Sequence, residues 1–418
     1  MIVETPTWTL PRDRALRERA AAVVPGGMYG HMTANERTVP ASYPQFYDGG
    51  LGAHTWDVDG HRYIDFLCAF GPVLLGHRHE RVEAAVAAQA RVGDTLSGPS
   101  ERMIELAELL TQTVAHADWA MFAKNGTDAT SAAVRVARAA TGRRKLLKAT
   151  VAYHGSNDWF TPRTAGVTAE DRLNIVEFDY NDVASMLAAV AEHSGDIAAI
   201  IVTPFRHDAF VEQELATEEF ARAVREAATR EGAALILDEV RTAFRLDVHG
   251  AWERFGVRPD LTAFSKALAN GYALSALVGT DALRDAAAQI YVTGSFWFSA
   301  VPMAAGIATV REAVEVNAPA LIEGPGTRFK DGLAAAGRAA GFDVALTGPV
   351  QMPMLNFADD RDKTVAFAFT DAAVRNGVLL HPWHNMFLST AHDDAVIDEA
   401  LAGVGAAFAE IAGRLNPT

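Results

Sequence analysis

The stretch ALILDEV at 234–240, read with PDLTAFSKAL at 259–268, decides the fold. Leu235, Ile236 and Leu237 are apolar in succession, so both faces of this strand need cover, as in a parallel sheet layered between helices. Asp238 follows at once. Ligands on such sheets sit beyond the carboxyl ends of the strands, so this carboxylate stands at the mouth of a crevice. A charge there is costly unless something cationic meets it.

Working outward, the chain from about 80 to 290 alternates helical and buried-strand patterns. Helical periodicity covers 80–92, 100–115 and 128–140. A strand is expected at KLLKAT (145–150). The apolar run IAAIIVTPF (197–205) precedes an amphipathic helix over 216–231, and a short strand falls near 274–280. This order gives an α/β fold with a mainly parallel sheet covered on both faces. Ahead of it lie a helix at 12–22, a Gly/Pro/Tyr-rich stretch, and HTWDVDGHRYIDFL (54–67), a hairpin turning at Asp59-Gly60. Behind it, after a helix at 300–316, helices near 326–340, 364–376 and 394–414 alternate with FDVAL (342–346) and MPMLNF (352–357), a smaller α+β domain.

The 418 residues carry 37 basic and 52 acidic side chains, a formal charge of −15, with 50% hydrophobic residues and one cysteine. That is the profile of a globular protein of two or three domains, without the concentrated basic surface that nucleic acid requires. Cys68 alone forms no internal disulfide and reads as a small core residue. The N-terminal stretch lacks a leader pattern and no segment approaches a membrane span, so the expected location is the cytoplasm.

Only six lysines occur among the 37 basic residues, at 124, 145, 148, 266, 330 and 363. In a chain that otherwise uses arginine, Lys266 inside an apolar segment calls for a specific reason. An amine forms a Schiff base with an aldehyde and a guanidinium does not, and burial makes that amine nucleophilic. A strand-end aspartate with a desolvated lysine about thirty residues later suits pyridoxal 5'-phosphate: the lysine bonds the aldehyde carbon and the carboxylate keeps the ring nitrogen protonated. A phosphate fits the helix start in AKNGTDATSAAVRVARAATG (123–142), where Asn125, Gly126 and Thr127 turn into an amphipathic helix. Tyr153 and His154, in AYHGSND (152–158), follow the strand at 145–150; an aromatic there either stacks on a pyridine ring or packs on the sheet rim. Arg37 and Arg206 are candidates for binding a substrate carboxylate, and Arg245 for pairing with an acidic neighbour. His77/His79 and His381/His384 lack a third ligand for a metal, and no GxGxxG or Walker A segment occurs.

Together these segments resemble the class III, ornithine-type aminotransferases of fold type I, and within them the branch of glutamate-1-semialdehyde aminomutase. The resemblance runs in order through PGG (25–27), WDVDGHRYIDF (56–66), GPVLLGHRH (71–79), NGTDAT (125–130), YHG (153–155), LILDEVRTAFR (235–245), PDLTAFSKAL (259–268) and PMAAG (302–306). It implies a large pyridoxal-phosphate-binding domain over 71–315, a small domain over 316–418, and an N-terminal segment, 1–70, packing with the small domain. Lys266 is then the lysine bonded to the cofactor, Asp238 the partner of its ring nitrogen, and Val240 the packing residue on one ring face. Tyr153 lies on the other face with His154 beside it, and Asn125, Gly126 and Thr127 bind phosphate. The family works as a homodimer in which a threonine of the neighbouring subunit completes the phosphate cup. The matching segment here is TGSFWFSAVP (293–302); aligning its Gly-Ser places Ser295 in the cup, and counting back from Pro302 places Trp297 there.

Thr33 occupies the position of an aminomutase arginine, with His31 and Arg37 nearby, and Phe70 that of a tryptophan. Thr203-Pro204 replaces Glu-Pro, and Asp208 an asparagine. His31, Arg37, Phe70 and Arg206 are the candidate substrate contacts. The expected activity is ping-pong transfer of an amino group from an amino compound, an amino acid foremost, to an oxo acceptor. An aminomutase or an amino-acid racemase uses the same Lys266 and Asp238, so these stand as alternatives.

Overall fold

The computed structural model describes residues 8–35, 37–208 and 212–415. The side chains of His31 and Leu415, and the first seven residues of the stretch read for a leader, lie outside the described residues. The chain divides into two compact units: Gly71–Leu74 with Glu80–Ala320, and a second built from the segment ending at Phe70, Leu75–His79, and the segment from Leu321.

The larger unit is organised by seven strands, β1 (Trp119–Ala123), β2 (Lys145–Ala149), β3 (Ile175–Phe178), β4 (Ile197–Val202), β5 (Ala234–Asp238), β6 (Leu261–Phe264) and β7 (Ser275–Gly279). Their order across the sheet is β1-β7-β6-β5-β4-β2-β3. All run parallel except β7, which is antiparallel to both β6 and β1. The mainly parallel sheet expected from the sequence is thus present. Its central strands obey the two-residue alternation of side chains. Leu147, Ile200, Leu235 and Leu237 face one layer, with Met186 and Val190 from the helix Val183–Glu192 and Phe220 and Val224 from Glu218–Glu231. Leu146, Ala199, Ile201 and Ile236 face the other, under Ala133, Val134 and Ala137 of the helix Gly126–Thr141. Each leucine or isoleucine buried this way contributes roughly 1.5–3 kcal/mol.

The sequence pattern did not resolve β1 and β3, which form the two edges of the sheet. Edge strands need cover on fewer sides, and β3 carries an exposed charge, Glu177. That charge has a purpose: Lys148, in register with Glu177, is buried and its Nζ lies 2.7 Å from the Glu177 carboxylate.

The smaller unit holds an antiparallel meander, Tyr47–Leu51, His54–Asp57 and Arg62–Asp65, to which Val378–Leu379 adds a parallel strand. The Asp59-Gly60 turn forms as read, with Gly60 at φ +91°. Asp59 also caps the helix Pro11–Val23, its carboxylate accepting the amides of Arg12 and Asp13 at 2.8 and 2.9 Å. Asp13, fully buried, accepts the amides of Gln45 and Phe46 and pairs with Arg17 at 2.6 Å, which ties that helix to the meander. The C-terminal helices Ala318–Ala339, Thr364–Arg375 and Asp394–Leu415 accompany the hairpin Val344–Thr347/Met354–Phe357. The first of these starts eight residues earlier than the sequence pattern suggests, with Pro325 inside it. Among the described residues no helix is long and apolar enough to cross a membrane.

Candidate active site

β5 and β6 are parallel neighbours, with Asp238 in register with Ala263. Lys266 comes three residues beyond Ala263, so the carboxyl ends of two adjacent strands deliver the carboxylate and the amine to the same edge. Lys266 is forced into place: its φ is +44°, in the left-handed region that costs a non-glycine residue about 1–3 kcal/mol. The surrounding turn over-determines it. Ser265 Oγ donates to the Leu274 carbonyl at 2.9 Å, and Asn270, also left-handed, accepts the Leu74 amide at 2.9 Å.

Asp238 is held by two donors. His154 Nδ1 lies 2.8 Å from Oδ2, and the Val240 amide donates to Oδ1 at 3.0 Å. His154 is buried, and its Nε2 has no hydrogen-bond partner among the described residues. The tautomer with the proton on Nδ1 satisfies this geometry, because it donates to the carboxylate and leaves a bare lone pair on Nε2. The carboxylate keeps lone pairs for a third donor, such as a ring N–H.

The segment carrying His154 is stapled to the first turns of the helix Gly126–Thr141. Thr130 Oγ donates to the His154 carbonyl at 2.6 Å, and Thr127 Oγ accepts the Ser156 amide at 3.0 Å. Asn125 is the N-cap of that helix. Its side chain accepts the Asp128 amide, while Asp128 takes the Asn125 amide and Nδ2, a reciprocal capping box. Asn125 is therefore committed to the cap, and the amides of Gly126 and Thr127 remain as the donors at the helix end, with the Thr127 and Ser156 hydroxyls beside them. Ser156 was not singled out in the sequence, since its only signal was its place after the strand and beside a glycine.

Two glycines keep this corner open. A Cβ on Gly126 would meet Val240 Cγ1 at 2.7 Å, and one on Gly155 would meet Thr127 Oγ at 3.0 Å, with Gly155 at φ +128°. Gly126→Ala is expected to weaken pyridoxal phosphate binding by about ten- to hundredfold, matching overpacking strain of about 1–3 kcal/mol. Equilibrium dialysis against the apoprotein measures this, and an unchanged Kd refutes the close approach of Val240.

Electrostatics favour a reactive amine. Burial, then the neighbouring guanidinium of Arg241, pulls the Lys266 pKa down to about 7, against the opposing pull of Asp238. Burial likewise lowers Arg241 to about 10, with Asp208, Asp238 and Tyr153 as its charged and phenolic neighbours. Asp208 accepts the Tyr153 amide at 3.3 Å, and burial raises its pKa. Arg241 was missed in the sequence because it follows DEV as one arginine among many; Asp208 was seen only as a departure from the family pattern. Tyr153 is 43% exposed, and its phenol is raised by burial and by Asp238. Arg245 is fully buried and donates to the carbonyls of Gly71 and Val73, each at 2.7 Å.

The remaining candidates make other contacts. Arg206 donates to the Glu212 carbonyl and pairs with Glu214 at 3.0 Å. Ser295 is exposed on a turn in which the Trp297 amide donates to the Gly294 carbonyl, and the Trp297 side chain borders Asp128 and Ala129. Arg37 is exposed in the smaller unit. Phe70 ends a left-handed turn in that unit, Cys68–Phe70 at φ 46, 54 and 63°, with its ring 5.2 Å from that of His384. His31 has its side chain outside the described residues. His77 is paired with Asp65, and the described residues hold no group of three metal-ligating side chains.

These residues fit pyridoxal phosphate: a carboxylate fixed by two donors for the ring nitrogen, an amine of lowered pKa, and a cradle at a helix end that a Cβ would fill.

Comparison with known proteins agrees. Residues 38–411 match the family model described as aminotransferase class-III. An aminopentol aminotransferase of Sphingopyxis macrogoltabida is 48% identical over 400 residues, covering 96% of this chain and 94% of that protein. A glutamate-1-semialdehyde 2,1-aminomutase of Bordetella avium is 35% identical over 430 residues, covering 96% and 99%. Among solved structures, the pyridoxal phosphate internal aldimine form of the FumI protein of Sphingopyxis sp. MTA144 superposes with a TM-score of 0.95 at 47% identity, covering 98% of each chain.

Proposed function

The chain belongs to the pyridoxal-phosphate-dependent class-III aminotransferases, and from that premise we propose that its amino donor is an amino alcohol, as in the Sphingopyxis relative, and that Lys266 and Asp238 carry the reaction. The reaction moves an amino group from the donor to an oxo acceptor in two half-reactions. The observation that supports the site assignment is Asp238, gripped by His154 and Val240 at the end of the strand next to the one that leads to Lys266.

When bound, pyridoxal phosphate supplies an electron-poor ring that draws electrons from the donor's nitrogen-bearing carbon. The amides of Gly126 and Thr127, with Thr127 Oγ, hold its phosphate at the helix end. Val240 and Tyr153 are the side chains that would pack against the ring. Asp238 would hold a proton at the ring nitrogen, and His154 keeps that carboxylate aimed. Lys266 Nζ, about half neutral near pH 7, is the group that would take the proton from the donor's nitrogen-bearing carbon.

Two observations support an amino alcohol over a carboxylate-bearing donor. Arg206 is engaged by Glu214, and Thr33 stands where the aminomutases carry an arginine. We also place the protein in the cytoplasm, in keeping with its single, buried cysteine, and as a homodimer, in keeping with a turn that exposes Tyr291, Phe296 and Phe298 at 80, 63 and 41% beside Ser295. Light scattering giving a monomer mass refutes the dimer.

The functional test is a half-reaction. Mixed with an amino alcohol and no acceptor, the holoenzyme is expected to release about one equivalent of oxo product per subunit and lose its yellow colour. An aminomutase or racemase instead returns a rearranged or racemised amine with no stoichiometric oxo product, and that result overturns transamination.

A further inference from the structure

Lys148, on β2, is 6% exposed, and no step of the reaction uses it. A buried ammonium is costly unless each of its three N–H donors meets an oxygen. All three do: Nζ lies 2.7 Å from the Glu177 carboxylate and donates to the carbonyls of Ala149 at 3.1 Å and Ala152 at 3.3 Å. The Glu177 side chain is 48% exposed, and an ion pair screened by water on one side contributes little. The pair alone therefore does not account for the burial of Lys148; the two carbonyls complete the account.

Those carbonyls belong to the turn that leads from β2 into the site. Ala149 also accepts the Ala152 amide at 3.1 Å, closing the turn, and Val151 within it is left-handed at φ +56°. The peptide joining Ala152 to Tyr153 is one rigid plane. Its oxygen accepts from Lys148 Nζ at 3.3 Å, and its N–H, the Tyr153 amide, donates to Asp208 Oδ1 at 3.3 Å. A cation thus holds one polar end of this peptide and a carboxylate the other, each by a charge-assisted bond. The two charges also act on each other: burial raises the Asp208 pKa, and His154, Arg241, the Tyr153 amide and Lys148 oppose it. His154, the following residue, is fixed independently by Thr130 and Asp238. What the two-ended hold adds is the placement of Tyr153.

We propose that Lys148 is a positioning residue for the reaction: with Asp208 it clamps the Ala152–Tyr153 peptide and so sets the Tyr153 ring against the cofactor. The inference rests on the assignment of Tyr153 to the cofactor ring, and one experiment separates the two.

A double-mutant cycle on the holoenzyme sets Lys148→Met against Tyr153→Ala, read by steady-state kinetics and by the circular dichroism of the cofactor's visible band. Lys148→Met is expected to lower kcat about tenfold, with KM for the donor moving less than about threefold, and to reduce the visible dichroism. In the Tyr153→Ala background the same substitution is expected to change kcat by less than about twofold, because the ring through which it acts is gone. Glu177→Gln, which spares both carbonyl bonds, is expected to match the parent in both readouts. Thermal midpoints are measured throughout, and Lys148→Gln, which loses the charge and the reach, takes the place of Lys148→Met if that protein does not fold. Equal losses of kcat in both backgrounds, no loss in either, or a Glu177→Gln protein that behaves like Lys148→Met overturns the clamp and leaves the site as assigned. Parental kcat and dichroism in Tyr153→Ala itself overturn the assignment of Tyr153, and the clamp with it.

Discussion

Lys266→Ala lowers kcat by more than about ten-thousandfold and yields a protein that takes up pyridoxal phosphate without the yellow colour of a lysine-bound cofactor. The size follows from the loss of two roles at once: the covalent anchor, and the proton transfer at the donor carbon, itself worth about 10²–10⁴-fold. Lys266→Arg restores neither, because a guanidinium stays protonated at any working pH. The pH dependence has a definite sign. The neutral amine is the reactive form, so cofactor capture by the apoprotein rises with pH up to about 7 and levels above it. Arg241→Met removes a like charge from the amine, raises the Lys266 pKa and moves this profile to higher pH. Stopped-flow absorbance measures both; a profile unmoved by Arg241→Met, or a Lys266→Ala protein retaining a tenth of parental turnover, breaks the account.

Asp238→Asn lowers kcat by about 10²–10³-fold, the scale of losing one preorganised charge opposite a group that develops charge in the reaction. Asparagine keeps the shape of the side chain and an acceptor for the His154 Nδ1 proton, so His154 and the fold remain in place. What disappears is the negative charge that holds a proton on the ring nitrogen. The cost therefore falls on kcat, with KM for the donor moving far less. Steady-state kinetics over a donor series checks this, and a drop of less than about threefold in kcat shows that the ring nitrogen does not depend on Asp238.

The parts legible in the sequence are those where burial leaves a strong pattern. Leu235–Leu237 and Ile197–Val202 are apolar without a break because helices cover both faces, and that continuity located the centre of the sheet. The strands at 119–123 and 175–178 escaped because edges need less cover, and Glu177 interrupts the second. Asp238 and Lys266 were visible because each is a charge beside an apolar run. Arg241 and Asp208 form a charged flank to the same site, but each sits in polar sequence where a further charge carries no signal. Asn125 shows the opposite limit: NGTD announces a helix start, while only the side-chain geometry reveals that its amide is spent on the cap with Asp128. The clamp on the peptide before Tyr153 joins Lys148 and Asp208 from separate segments, and no local pattern encodes it.

Six lysines make one measurement decisive. Borohydride reduction of the holoenzyme makes the lysine–cofactor bond permanent, and peptide mass mapping then reads which residue carries it. The account predicts the pyridoxyl group on Lys266 alone. Its appearance on Lys124, Lys148 or any other lysine, with Lys266 unmodified, would contradict it.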